Sequence, residues 1–311
     1  MCASVYNCCC CDWYVCICWL EIYVSNVGLI RSVSLSQLEF KYSIIAHMKI
    51  LREWIKSSKL IVELAKNDFG MRFAGSFFGV LWAFVQPIVI VLLYVFVFQV
   101  AFHAGPADGG YPYVLWLIAG LCPWLFFTEA VTSATGCFVE YNYLVKKVVF
   151  PISILPLVKT ISASFVHVFF VVFSFLIYLL MGKVPGISFV QIIYYCICLL
   201  LLVIGLSFLT SSIVPFFKDL QSIVPIIMNI GMWMTPILWN IDAIGNQYLR
   251  MALSLNPMFY IVNGYRESFM NGHWIWEHPV LTLAFWVELL LIYALGISTF
   301  YKSKPHFAHV L

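Results

Sequence analysis

The chain has 311 residues, 63% of them hydrophobic and only 10% charged, with a net charge of +3 and a mean hydropathy of +0.96. Soluble domains carry about 25% charged residues, so this composition excludes a soluble globular protein, and no nucleic-acid partner is expected. The apolar residues lie in runs of eighteen or more, the mark of membrane-spanning helices, and the ten-residue alternation of an outer-membrane barrel is absent.

Met1 to His47 differs from the remainder. Seven of the eleven cysteines fall here: Cys2, Cys8, Cys9, Cys10, Cys11, Cys16 and Cys18. A metal site from Cys8, Cys11, Cys16 and Cys18 is disfavoured, because the ligands crowd together and no histidine is near. Trp13 to Leu20 is too short to span and has no basic region before it, which argues against a signal peptide. Residues 1–47 are therefore left as an unassigned Cys-rich extension, expected to precede a natural start at Met48. The transmembrane domain is placed at 48–311.

From Met48, the residues Leu51, Trp54, Ile55, Ser58, Ile61, Val62 and Ala65 recur at helical spacing, with Arg52, Lys56, Lys59, Glu63 and Lys66 opposite. This is an amphipathic helix suited to the membrane interface plane. Gly75 and Gly79 form a G-x-x-x-G spacing that permits close helix approach. The first span runs from about Gly79 to Phe102, with a kink expected at Pro87. A second, about Pro112 to Thr135, contains Pro123. A basic island, Glu140 to Pro156, separates it from a third span at about Ile152 to Met181. A fourth covers about Phe189 to Pro215, a fifth about Ile223 to Trp239, and a sixth about Val280 to Tyr301. Asn240 to Pro279 is too apolar for a solvated loop and reads as two short helices dipping into the outer leaflet, a re-entrant hairpin between spans five and six.

Charge sets the orientation. One set of non-membrane segments carries Lys49, Arg52, Lys56, Lys59, Lys66, Arg72, Lys146, Lys147, Lys218, Lys302 and Lys304; the other carries only Lys183, Arg250 and Arg266. Both termini are expected in the cytoplasm. Glu129, His167, Lys159 and Glu288 fall within or beside spans, where ionisable groups are costly. A Glu129–Lys159 ion pair is the expected arrangement, with His167 and Glu288 as hydrogen-bonded packing groups. A proton-coupled secondary carrier using Glu129, His167 or Glu288 as a relay is the alternative. No nucleophile–base pair, metal-ligand cluster or phosphate-binding Gly-rich loop is present, so no catalytic site and no cofactor are expected.

The order of certain motifs carries a family resemblance. They are Leu64 to Phe69, Gly75-Ser76, Leu81-Trp82, Gln86-Pro87, Ala119-Gly120-Leu121 and Pro123-Trp124. Leu144 to Val148 with Phe150-Pro151, Phe217-Lys218-Asp219, Thr235-Pro236-Ile237, Asn256-Pro257-Met258 and Gly264-Tyr265-Arg266 complete the series. The sequence resembles the ABC-2 permeases, and within them the exporters of polysaccharide, O-antigen and teichoic acid. The ending Lys304 to Leu311, with His306-Phe307 and Val310-Leu311, looks most like the teichoic-acid group.

The resemblance implies a homodimeric permease in the plasma (inner) membrane, moving a lipid-linked glycan outward and driven by a separate nucleotide-binding ATPase subunit. It implies an ATPase-coupling helix at Tyr143, Leu144, Lys146, Lys147, Val148 and Phe150. It further implies gate helices carrying Asn256, Pro257, Tyr265 and Arg266. Aromatic rings stack on sugars and tolerate lipid, which makes Trp82, Tyr94, Trp116, Trp124, Phe126, Phe127 and Trp233 the candidate pathway lining.

Overall fold

The computed structural model describes residues 50–103, 105, 110–147, 150–270 and 272–310. The Cys-rich extension and Val148 lie outside these residues. Every regular element among the described residues is helical.

A helical turn at 50–56 leads into α1, Ser58–Arg72. Its buried residues Ile61, Ala65 and Asp68 lie one or two turns apart, so a narrow stripe faces inward. Ile61 and Ala65 pack on Ile154 and Val158, with Trp54 and Phe150 at the margin. The rest of the predicted apolar stripe, including Leu51, Ile55 and Val62, remains exposed.

Gly75 and Gly79 then take left-handed φ values of +84° and +52°, with open space where a Cβ would stand. Their spacing serves a backbone turn and not the close helix packing that G-x-x-x-G suggested. α2, Trp82–Val95, has Pro87 inside it and passes into a wider π-helical turn, Phe96–Ala101.

α3, Tyr113–Thr135, is the central helix and is buried along most of its length. It packs on α6, Leu155–Leu180, on α7, Gln191–Ile213, and on α2. Two single-turn helices, α4 (Cys137–Glu140) and α5 (Asn142–Val145), connect α3 towards α6. Pro156 sits in the first turn of α6, where its missing N–H has no cost. The last long helix, α11 (Pro279–Ser303), lies against α7, and two glycines allow the approach. A Cβ on Gly296 would stand 2.7 Å from the Gly205 carbonyl oxygen.

Among the described residues, five helical segments are long and apolar enough to cross a membrane: Gly79–Ala101, Tyr113–Thr135, Ile152–Leu180, Ile187–Ile213 and Pro279–His306. The fifth predicted span is shorter than expected. It forms α8, Leu220–Met234, of only 15 residues. At 1.5 Å per residue that reaches about 22 Å, less than the ~30 Å hydrocarbon core. The helix stops because Pro236 has no N–H to continue the ladder and Thr235 is already extended.

Between α8 and α11 lie the two short helices the sequence suggested, α9 (Gln247–Ser254) and α10 (Pro257–Phe269). Asn246 caps α9 and Asn256 caps α10, each side-chain oxygen accepting from a first-turn N–H. α9 has no buried residue, whereas α10 is buried on most of its faces, against α3 and α7. Gly264 makes that packing possible, since a Cβ there would fall 2.1 Å from the Tyr195 ring. The chain ends with α12, Phe307–Val310. Phe307 is buried with its ring 5.0 Å from that of Phe138.

Candidate functional site: a cleft, a charged cluster and a basic stretch

A cleft of about 440 Å³ opens between α2, α3, α6 and α8. Gln86, Tyr94, Trp124 and Phe126 line its wall, and Arg72 and Glu129 stand together at its edge. Of the seven predicted pathway aromatics, the fold brings Tyr94, Trp124 and Phe126 to this cleft. Tyr94 Oη lies 3.5 Å from Met232 Sδ, tying α2 to α8. Trp124 packs over Gly231, where a Cβ would meet its ring at 3.1 Å. Trp116 and Phe127 are buried in the core, while Trp82 and Trp233 are exposed.

At the α1 edge of the cleft, five acidic and basic side chains meet. Lys159 Nζ donates to Asp68 Oδ1 at 2.6 Å and to Glu140 Oε2 at 2.7 Å. Arg72 lies 3.1 Å from Asp68 Oδ2 and 2.5 Å from Glu129 Oε1. Tyr141 Oη donates to Asp68 at 2.8 Å. Burial alone would raise the pKa of Asp68. The hydrogen bonds from Lys159 and Ser162 and the charges of Lys159 and Arg72 outweigh it and hold the carboxyl below its usual range.

The expected Glu129–Lys159 pair is therefore replaced by two others, Lys159–Asp68 and Arg72–Glu129. The reason is α1: packed on α6, it brings Asp68 to Lys159 and leaves Arg72 to reach α3. Matching two antiparallel spans alone could not include this third helix. Asp68, inside the Leu64 to Phe69 motif, Glu140, at the head of the basic island, and Tyr141 carried no expected pairing; the i, i+4 spacing of Asp68 and Arg72 was the available signal.

The basic stretch follows directly on this cluster. Tyr143, Lys146 and Lys147 are exposed, Leu144 and Phe150 are half-buried, and Val145 is buried. A second cleft, of about 470 Å³, runs between Tyr141, Tyr143 and the Leu64–Ala74 side of α1.

The residues predicted on the gate helices occupy the α10 region. Arg266 is 6% exposed. Its Nη1 donates to Pro236 O at 2.9 Å, Nη2 to Ile237 O at 2.8 Å and Nε to Trp116 O at 3.4 Å. The guanidinium also lies 3.4 Å from the Trp116 ring centroid. Asn256 Nδ2 donates to Thr235 Oγ1 at 2.9 Å, and Tyr113 Oη to Leu238 O at 2.7 Å. Carbonyls freed where α8 breaks are thus taken up by side chains of α3 and α10, which fixes the end of the short helix. Tyr265 instead meets His167 Nε2 and Cys196 Sγ, each at 2.9 Å. Among the described residues no hydrogen bond joins Glu129, His167 and Glu288, and no three His, Cys, Asp or Glu side chains converge on a metal position.

A polar group that had no assigned role spans the last turns of α10 and the segment after it. Asn263 donates to Glu267 at 2.9 Å, His278 lies 3.6 Å from the same carboxyl, and His273 pairs with Glu277 at 2.5 Å. The density of polar residues in His273 to His278 was its signal. Burial pushes the pKa of Glu267 from an ordinary 4.5 up to about 7. A raised pKa means the folded protein binds this proton more tightly than the unfolded chain. The contribution is therefore complete below pH 4.5 and lost as pH rises through 7. Replacing Glu267 by glutamine should flatten the melting temperature of the detergent-solubilised protein over that window. An unchanged slope would place the titration elsewhere.

The sequence profile of the ABC-2 type transporter family matches residues 59–270, from α1 through α10. The chain belongs to the ABC-2 type transporter family. Among curated relatives, it is 27% identical over 254 residues to the O-antigen export system permease protein RfbA of Klebsiella pneumoniae, covering 81% of this chain and 95% of that protein. It is 26% identical over 262 residues to RfbA of Myxococcus xanthus, covering 84% and 98%. It is 24% identical over 228 residues to the polysialic acid transport protein KpsM of Escherichia coli, covering 71% and 86%. The ABC-2 match includes the cleft, the charged cluster, the basic stretch and the Arg266 anchor.

Proposed function

We propose that this ABC-2 chain is the permease subunit of an exporter that moves a lipid-linked polysaccharide from the cytoplasmic to the outer side of the plasma membrane. A separate ATPase subunit powers it. The observation that carries this reading is near full-length similarity to proteins named for O-antigen export, over 95% and 98% of their lengths. An O-antigen or teichoic-acid type glycan suits the frame. The partly apolar, partly polar cleft, with the half-buried Tyr94 and the exposed Gln86 on its wall, offers an aromatic ring for sugars and surface compatible with an acyl anchor.

In this reading α8 and the apolar residues after it, up to Trp239, together make the sixth crossing, the even number that two cytoplasmic termini need, and the charge distribution puts those termini inside. α9 and α10 form the re-entrant gate, and α1 lies in the inner interface. Domain boundaries remain those read from the sequence, with 48–311 as the transporter domain. A second copy would cover the apolar surface of α2 and α8. Leu92, Leu93, Phe96, Ile226, Ile227, Ile230 and Trp233 are all exposed there. The ATPase would dock on Tyr143 to Phe150, whose exposed Lys146 and Lys147 and adjoining cleft offer charged and apolar contacts.

Purification of the tagged chain in mild detergent, with mass spectrometry of bound proteins, tests this. One Walker-A ATPase is expected, with recovery reduced by Lys146→Glu/Lys147→Glu. A chain that never brings down an ATPase, even after cross-linking, would refute the assignment and favour a secondary carrier.

A further inference from the structure

The charged cluster touches both ends of the proposed machine. Glu140 and Tyr141 immediately precede the basic stretch, and Arg72 and Glu129 stand at the cleft edge. Between them the contacts are continuous: Glu140 to Lys159, Lys159 to Asp68, Asp68 to Arg72, Arg72 to Glu129.

The bonds in this chain are unequal. Lys159 and Asp68 are 3% and 1% exposed, whereas Arg72 and Glu129 are 20% and 48% exposed. A buried pair is costly to separate because each charge would be left in a low-dielectric interior. A half-exposed pair can be replaced by water on both sides. Lys159–Asp68 therefore holds α1 and α6 as one body, reinforced by Tyr141 on Asp68 and by the Ile61, Ala65, Ile154 and Val158 contact. Glu140 is 56% exposed, but its neighbour Tyr141 is bonded to Asp68 and keeps it on the same body. That leaves Arg72–Glu129, the link from that body to α3, as the pair free to yield.

We propose that these five side chains form a relay. Displacement of the Tyr143–Phe150 stretch is passed through Glu140 and Lys159 to α1, and the Arg72–Glu129 pair opens to widen the cleft. Arg72, Glu129 and Glu140 are positioning residues for transport. The inference rests on the coupling role given above to the basic stretch. It adds a two-state element whose equilibrium both ends bias, the physical content that coupling between sites requires.

The experiment uses the full chain with its ATPase in proteoliposomes. The readout is the amount of end-labelled lipid-linked glycan, extracted from the source membranes, that is moved per ATP hydrolysed. Arg72→Gln and Glu129→Gln should each keep the ATPase bound and hydrolysing while the ratio falls about tenfold, within the usual range for one coupling. Arg72→Lys, which keeps a cation between Asp68 and Glu129, should retain most of it, which loss of packing alone would not explain. Unchanged ratios in both glutamine variants, or an Arg72→Lys variant no better than Arg72→Gln, would overturn the relay while leaving the permease assignment intact. Absence of any ATPase with the wild-type chain would remove both. If the single variants do not fold, Arg72→Cys/Glu129→Cys joined by a cleavable bifunctional thiol reagent serves instead. Transport should stop on cross-linking and return on cleavage; transport continuing through the cross-link would overturn the proposal.

Discussion

Arg266→Met should lower the melting temperature of the purified protein sharply, with a loss of about 3–5 kcal/mol. The guanidinium donates to two carbonyls just beyond the end of α8, Pro236 O and Ile237 O, and to Trp116 O on α3, and it stacks on the Trp116 ring. Removing it takes those donors away from buried acceptors and opens space beneath α10. Lysine would rescue little, because a point charge cannot address Pro236 O and Ile237 O as a planar fork does. A Cβ on Gly120 would approach Arg266 Nη2 to 2.8 Å, so Gly120→Ala should destabilise through the same contact. The two changes together should cost little more than Arg266→Met alone, since the added methyl group then has room. Thermal melts in detergent, followed by size-exclusion fluorescence, check both. Full additivity would mean that Gly120 acts through something other than Arg266.

The second large effect is expected at Lys159. Lys159→Met leaves Asp68 buried without its main cation, and a loss of about 3–5 kcal/mol is the usual consequence of orphaning one member of a buried pair. Lys159→Met combined with Asp68→Asn should be more stable than Lys159→Met, because the uncompensated charge is gone. The order of the three melting temperatures is the test: wild type, then the double variant, then the single. A double variant less stable than Lys159→Met would show that Asp68 matters more to Arg72 and Tyr141 than to Lys159. Because the Asp68 carboxyl is held below its ordinary 3.8, its contribution is complete at neutral pH and lost only on acidification below that value.

Much of the architecture was legible locally. Long apolar runs give long helices wherever the chain must satisfy its own backbone groups, so five of the expected spans appear within a few residues of their limits. Asn256-Pro257 reads as a cap and first turn, and that is how it folds. The fifth run misled because hydropathy measures apolar content and not where a ladder breaks. Thr235-Pro236 ends α8, and the apolar residues beyond it are buried by other helices and do not extend it. Gly75 and Gly79 misled for a related reason: the same spacing serves packing on a helix and turning off one, and only φ distinguishes them. Within the candidate site, the aromatic residues could be named but not sorted. Trp116 and Trp124 lie on one helix with similar neighbours in sequence, yet Trp116 supports Arg266 and Trp124 faces the cleft.

The sequence by itself determined that this is an all-helical membrane protein, where most of its helices start and stop, and which motifs align it with the ABC-2 transporters. Those properties depend on hydrophobic length, capping and proline, which act over a few residues. Only the tertiary structure decided which charges pair and which carbonyls Arg266 holds. Lys159 and Asp68 are 91 residues apart and Arg72 and Glu129 are 57 apart. Their meeting depends on the depth and rotation of three packed helices, set by the burial of Ile61 and Ala65 on α6 and recorded in no single stretch of chain.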